Sequence, residues 1–426
     1  MSASEFLITR FDADIHFFCT FEETLVFNEI LSRIIEFPMK MIAGPATVMV
    51  AALFFNAASA IEITSGPYLQ NVTDHEATVM WLTDCDALSW VEIAPDDSLN
   101  FYAEQRPQFY ETDMGRAVTG RLHKVRIRNL EPGKSYRYRV YSRKVLDEQP
   151  YYVAYGETAA TDVYHKQPLK FSTVDISADE VSFMVVNDIH EDSLLFENLM
   201  KDFSQATTDF VVFNGDMLNF MGNEDQLIHG LLDRATARFA SETPFYMVRG
   251  NPESRGNFAK NYMRYFETPT GKPYYTFRRG PVFFVVLDGG EDKPDNDIEY
   301  SGTSFCDDFR QEQADWLKKV VETEDFKSAP FRIAVVHVPP VQDTWHGPLH
   351  AKKLFLPIFN SAGIDLMLCA HLHRHAYNEA GVDGAAFPVL INSNDEGVRI
   401  EADSKEMKLT VKDRSGKVTM TKNYKK

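Results

Sequence analysis

Cysteine is scarce in this chain: four in 426 residues, Cys19, Cys85, Cys306 and Cys369, far apart from one another. Such a set is not a disulfide framework, so stability has to come from a packed core. Cys369 ends an apolar run and reads as a small buried hydrophobe. Positive charge is also short. Lys and Arg number 44 against 62 Asp and Glu, a formal net charge of −18, of which residues 1–60 hold −4 and the remainder −14. An acidic surface repels polyanions, which argues against long nucleic acid or an anionic membrane as a partner. The sequence shows no internal repeat and no low-complexity run. Apolar residues are plentiful: 44% hydrophobic, with 32 Phe and 18 Tyr, which argues against disorder. The length suits two or three domains with a large core.

One charge-free apolar stretch, residues 42–55, follows Met39-Lys-Met41 and leads into Asn56-Ala-Ala-Ser-Ala60. A short basic start, an apolar region and an A-x-A pattern at Ala58 and Ala60 are the marks of a secretory signal peptide. Residues 41–60 are also just long enough to span a bilayer, but Gly44, Pro45 and the small polar tail favour cleavage. We expect residues 1–38 to be an upstream-start extension and 39–60 a signal peptide. The exported protein, periplasmic or secreted, then starts at Ile61 without a stable membrane anchor. No cysteine lies at the cleavage site, so a lipoprotein is not indicated.

From Ile61 to about Lys170 the texture is that of short alternating strands. Ala77–Leu82, Trp90–Ile93, His123–Ile127 and Tyr136–Tyr141 show period-two character. Leu130-Glu-Pro-Gly-Lys-Ser-Tyr136 resembles the fibronectin type III corner, in which a tyrosine hydroxyl ties back to the backbone. Trp81 is expected in the core, and Arg137 and Arg139 on an outward strand face. An all-β fibronectin type III-like sandwich over 61–173 follows.

The second part, 178–426, alternates short β-branched and aromatic runs with stretches of helical spacing (192–205, 225–239, 309–323, 351–362). Metal-type side chains recur where the apolar runs end. Asp188 and His190 follow 181–186, Asp216 follows 210–213, and Asn251 follows 245–248. His337 closes 333–336, and His371 and His373 follow 364–368. Ligands gather beyond the carboxyl ends of strands in buried sheets. Carboxylate and amide oxygens mixed with imidazole suit Zn, Mn or Fe. Seven such groups are too many for one tetrahedral ion and fit two ions sharing a carboxylate. The closing segments, Arg399-Ile400, 407–411 and 418–421, read as an edge hairpin around Arg414-Ser-Gly416. The acidic run 288–297 lacks calcium-loop spacing and reads as a solvated loop at the site rim.

In order, Asp188-Ile-His190, Gly215-Asp216, Gly250-Asn251, His337 and His371-Leu-His373 resemble the calcineurin-like metallophosphoesterase signature D-x-H…G-D…G-N-H-[DE]…H…G-H-x-H. With the preceding β domain, residues 61–426 are similar to the purple acid phosphatase-like branch. The resemblance implies an αββα sandwich. It also implies one divalent ion on Asp188, His190, Asp216 and His373, and a second on Asp216, Asn251, His337 and His371. The implied activity is hydrolysis of a small phosphorylated substrate by metal-activated hydroxide.

Three departures from the pattern, at four positions, matter. His190 and Asn219 stand where a purple acid phosphatase has glycine and the iron-binding tyrosine, which favours two divalent ions, Mn, Fe or Zn. Pro252 replaces the histidine that assists the leaving group; proline has no proton to give and is expected to hold Asn251 extended. Ala370 replaces a glycine, at no cost where φ is negative. His346, nine residues after His337, and His350 are candidates to supply the missing proton, with a structural loop around Trp345 and Pro348 as the competing reading. Arg255 is a candidate fork for substrate phosphate. The rival to an exported phosphoesterase is a metal-retaining pseudoenzyme that binds phosphorylated or glycan ligands without turnover.

Overall fold

The computed structural model describes residues 60–426. The expected extension, the signal peptide and Cys19 lie outside the described residues. Among those described, no helix is long and apolar enough to cross a membrane.

The N-terminal domain is one connected seven-stranded sheet that folds over on itself. Its spine is the 19-residue strand Ala77–Pro95. The first part of that strand pairs with Ile63–Gln70 and Thr119–Ile127, and the second with Gln108–Tyr110 and Ser135–Gln149. A register shift between Leu82 and Ala87 marks the change of layer. Val79 and Trp81 from one half and Val91 and Ile93 from the other then share a core with Tyr138, Val140 and Phe171. Trp81 is fully buried and donates its indole N–H to Ser142 Oγ at 2.8 Å. The Tyr136 hydroxyl accepts the Glu131 N–H at 2.9 Å. Arg137 and Arg139 alternate with the core residues Tyr138 and Val140 and so lie on the outward face expected, though neither is free in solvent. Arg137 is buried and donates to the carbonyls of Pro95 and Leu99 and to Asp97, while Arg139 lies over the rings of Tyr102, Tyr141 and Tyr164. A guanidinium with so many local acceptors and π-faces gains more from the fold than from water.

Two six-stranded sheets follow. The first runs Phe245–Val248, Phe210–Asn214, Glu180–Val186, Glu396–Asp403, Glu406–Asp413, Val418–Lys425. The second runs Tyr275–Arg279, Val282–Leu287, Phe331–Val336, Leu366–Cys369, Val389–Ile391, Ala376–Asn378. The apolar runs are buried on both faces, and alternation divides them. Phe183 and Val185 face the second sheet, with Phe284 and Val286 opposite, while Met184 and Val186 pack outward under the segment 224–240. Phe283, Val285 and Leu287 pack outward beneath the helices Cys306–Val320 and His346–Ala362. Helix, sheet, sheet and helix form the four layers expected.

Three expectations need correction. The closing strands make the hairpin around 414–416, but Glu396–Asp403 pairs with Glu180–Val186 in the interior of the first sheet, not at its edge. The fourth helix starts at His346 instead of Ala351, because Pro348 falls in its first turn, where no backbone N–H is required. The acidic run is buried at its start, 288–291, and its carboxylates are engaged: Asp288 pairs with Arg249 at 2.6 Å, Glu291 with Arg255, and Asp295 caps the helix at Cys306 by accepting the N–H groups of Cys306 and Asp307.

The N-terminal domain and the two-sheet domain interlock. Tyr68, Met80 and Leu82 belong to the same core as Phe213, Phe239 and Phe245. The hydroxyls of Tyr68 and Tyr138 donate to the carbonyls of Tyr265 and Ser241 at 3.0 and 2.6 Å, and Arg279 donates to the Val72 carbonyl at 3.1 Å.

Candidate metal centre

Five of the seven strand-end residues hold left-handed backbone: Asp188 (φ 50°), His190 (48°), Asp216 (54°), His371 (71°) and His373 (48°). Each such residue costs on the order of 1–3 kcal/mol and persists only where surrounding contacts enforce it. The enforcing contacts are visible. Asp188 N–H donates to the Gly215 carbonyl and His190 N–H to the Asp216 carbonyl, both at 3.0 Å. His371 N–H crosses from the second sheet to Asp188 Oδ2 at 3.1 Å. Two glycines admit this lacing. A Cβ on Gly215 would lie 2.4 Å from His337 Nδ1, and one on Gly250 would lie 2.1 Å from Asp216 Oδ1.

The side chains converge as two overlapping groups. Ligand atoms of Asp188, His190, Asp216 and His373 lie within 4.8 Å of one another, and so do those of Asp216, His337 and His371. Asp216 is common to both. His373 Nε2 lies 3.1 Å from Asp188 Oδ1, His337 Nε2 lies 2.9 Å from Asp216 Oδ1, and the Nε2 atoms of His190 and His373 are 3.2 Å apart. The first two are distances without aligned hydrogen bonds, while the two imidazoles share one. Asp188 Oδ1, Asp216 Oδ1, Asn251 Oδ1, His337 Nε2 and His371 Nδ1 are all buried with no hydrogen-bond partner. Buried polar atoms left without partners are expensive. Carboxylate, amide and imidazole lone pairs gathered this way fit cations. The set grades from fully buried Asp188 and His337 to exposed His373, so the open side lies at His190 and His373.

Electrostatics agree. Burial alone would push the His337 imidazole down, but Asp216 and Asp188 overcome it and raise it to about 10. Asp188 is held below the usual carboxylate range: burial opposes this, and His337, His373 and the Asn187 amide prevail. The cluster is so electronegative that, without a cation, it protonates its own histidine.

Around this set stand residues that the strand-end pattern did not single out. Glu253 is fully buried, and its two oxygens accept the N–H groups of Asp216, Gly250, Met217 and Leu218 at 2.7–3.1 Å. Burial, and then Asp216, push its carboxyl up to about 7 against those donors. The Asn187 amide donates to Asp188 Oδ2 at 2.7 Å and is itself oriented by Asn392. The Asn214 carbonyl lies 2.7 Å from His337 Nδ1, which in the neutral ring fixes the tautomer that leaves Nε2 bare. Asp292 Oδ1 lies 3.1 Å from His371 Nε2. Only Glu253 had a signal, the acidic end of the G-N-x-E motif.

The departures resolve individually. Asn219 Nδ2 donates to the His190 carbonyl at 3.2 Å. Ala370 is buried and is not among the residues of positive φ, so the missing glycine costs nothing. Asn251 is not extended; it has φ −69° and ψ −40° and opens a 3-10 turn with Pro252 as its first residue. Its carbonyl accepts from Ser254 N–H and Oγ, which offsets the steric penalty before proline. Arg255 is not a free fork: both arms go to Glu291, at 2.8 and 2.6 Å. His346 and His350 come together, but onto Asp307 in the helix Cys306–Val320, and make no hydrogen bond or ion pair with the strand-end residues.

Residues 181–375 match the calcineurin-like phosphoesterase family, and residues 66–164 match the purple acid phosphatase N-terminal domain. No curated protein matches the chain. Three solved structures show loose similarity. The cold-active protein-tyrosine phosphatase of the psychrophile Shewanella sp. is 13% identical over 86% of this chain and 99% of that one, with a TM-score of 0.27. A conserved Streptococcus pneumoniae protein, described as a predicted phosphoesterase, is 14% identical over 58% and 99%, with a TM-score of 0.30. Vacuolar Protein Sorting 29 of Cryptosporidium parvum is 10% identical over 58% and 100%, with a TM-score of 0.31.

Proposed function

This chain is a metallophosphoesterase, with a calcineurin-like catalytic domain behind a purple acid phosphatase-type N-terminal domain, and on that premise we propose that it hydrolyses small phosphate esters at two divalent ions. One ion would be held by Asp188, His190, Asp216 and His373, and the other by Asp216, Asn251, His337 and His371. The observation that carries this reading is the set of buried, partnerless atoms on Asp188, Asp216, Asn251, His337 and His371 around a shared carboxylate. Such a pair, when bound, lowers the pKa of a coordinated water and polarises phosphoryl oxygens. Divalent ions are favoured because Asn219 spends its amide on the His190 carbonyl and brings no phenolate.

The chain's own residues prepare the site. Asn187 occupies one Asp188 oxygen and leaves Oδ1 to bind; Asn214 and Asp292 orient His337 and His371; Glu253 sets the Asp216 and Gly250 backbones. Pro252 stands where the resembled family has the histidine that assists the leaving group and has no proton to offer, so good leaving groups are the preferred substrates. Beside it a cleft lined by Ser254, Arg255, Tyr300 and Phe305 has room for the remainder of a substrate. The protein acts after export, with Ile61 as its first residue; the signal pattern ending at Ala60 supports this, and N-terminal sequencing from the native host tests it.

The deciding experiment is hydrolysis of an aryl phosphate and an aryl phosphodiester by protein reconstituted with Mn, Fe or Zn, alongside elemental analysis. At least two ions per chain with turnover of either ester is the expected result. Two bound ions and no turnover would return the phosphate-binding pseudoenzyme.

A further inference from the structure

We propose that Asp307, His346 and His350 form a third cation site, separate from the strand-end pair, that takes a divalent transition ion and clasps the helix Cys306–Val320 to the helix His346–Ala362. His346 and His350 are one turn apart at the start of the second helix and present both imidazoles on one face. Asp307, in the first turn of the other helix, faces both. His346 Nε2 lies 2.8 Å from Asp307 Oδ2, and His350 Nδ1 lies 3.0 Å from Oδ1. All three ligand atoms fall within 4.8 Å of one another. Two imidazoles and a carboxylate with open positions are a ligand set used by Zn and Fe(II) sites.

Hydrogen bonding alone does not account for the arrangement. His350 Nδ1 is buried and, although close to Asp307, has no aligned hydrogen bond. Arg310 is the competitor. It donates to Asp307 Oδ1 at 2.7 Å, but its other arms are committed to the carbonyls of Gly289 and Glu291, and Oδ2 is left facing His346 alone. The nearby guanidinium makes this the weaker site, the first to lose its ion on dialysis. The clasp also touches the main centre mechanically. Gly347, between the two histidines, donates its N–H to the Asp292 carbonyl at 2.6 Å, and the Asp292 carboxylate faces His371.

The test is equilibrium dialysis against Zn²⁺ or Co²⁺ of the parent, of His346→Gln/His350→Gln and of Asp188→Asn/Asp216→Asn, with far-UV circular dichroism to confirm folding. We expect the histidine double variant to bind about one ion fewer than the parent, and the Asp188/Asp216 variant to lose the other ions while keeping that one. Equal metal content in the parent and the histidine double variant would overturn the proposal, whatever becomes of the strand-end pair. If the double variant does not fold, His346→Gln alone, at a part-exposed position, must lower affinity for the weakest-bound ion at least tenfold; an unchanged isotherm would equally overturn it.

Discussion

Glu253 reaches beneath Asp216 and accepts its backbone N–H at 3.0 Å, so the residue shared by both ligand groups is set in place by a carboxylate that stands outside both. The same side chain accepts from Gly250, Met217 and Leu218. Glu253→Ala leaves four N–H groups without this acceptor. It should cost ~3 kcal/mol or more of stability and lower metal content, whereas Glu253→Gln keeps one accepting oxygen and should cost less. Urea unfolding and elemental analysis of the two variants check this; equal stability of parent and Glu253→Ala would refute it.

Metal-free protein should lose stability as pH rises. The His337 imidazole, raised in the fold to about 10 from an ordinary 6.5, contributes fully below the unfolded value, and that contribution fades as pH climbs through 10. An ion needs the neutral imidazole, so binding at pH 7 displaces a proton, and affinity should increase with pH. Calorimetry in buffers of different ionisation enthalpy measures the proton count. Metal binding with no proton release at pH 7 would show that His337 is not a ligand.

Gly250→Ala should abolish the pair of ions without removing any ligand. The new methyl would sit 2.1 Å from Asp216 Oδ1 and 2.8 Å from Glu253 Oε2, so Asp216 has to move. Overpacking of this kind typically costs about 1–3 kcal/mol. Asp216→Asn should likewise abolish hydrolysis, and an alanine variant that retains full metal content and activity would contradict the close packing described here.

Pro252→His should restore assistance to the leaving group. The expected gain is confined to alkyl esters, up to about 10²–10⁴-fold, with little change for nitrophenyl esters. Rates plotted against leaving-group pKa for parent and variant make the comparison, and identical slopes would mean that the parent already has a proton donor.

Much of the centre was legible because β-strands end abruptly. Once 181–186, 210–213 and 333–336 are read as buried strands, Asp188, Asp216 and His337 must emerge at their carboxyl ends, and the structure gathers them there. What stayed hidden depends on loops meeting in space. Nothing local marks Asp292 as the partner of His371, or Asp295 as the cap of a helix that begins at Cys306; a run of carboxylates reads as solvated until the arginines 249 and 255 arrive from another loop. Asn251 misled for a related reason. The preference for extended backbone before proline is real but modest, and a 3-10 turn stitched by Ser254 outweighs it.

The boundary between the two domains, plain in composition, is no boundary in cooperativity. Tyr68, Met80 and Leu82 complete an apolar core whose other members lie beyond residue 183, so a catalytic fragment cut free near residue 175 would expose one wall of its own interior. Heating should therefore melt residues 60–426 in one transition instead of two. The fragment on its own should bind the dyes that report exposed apolar surface.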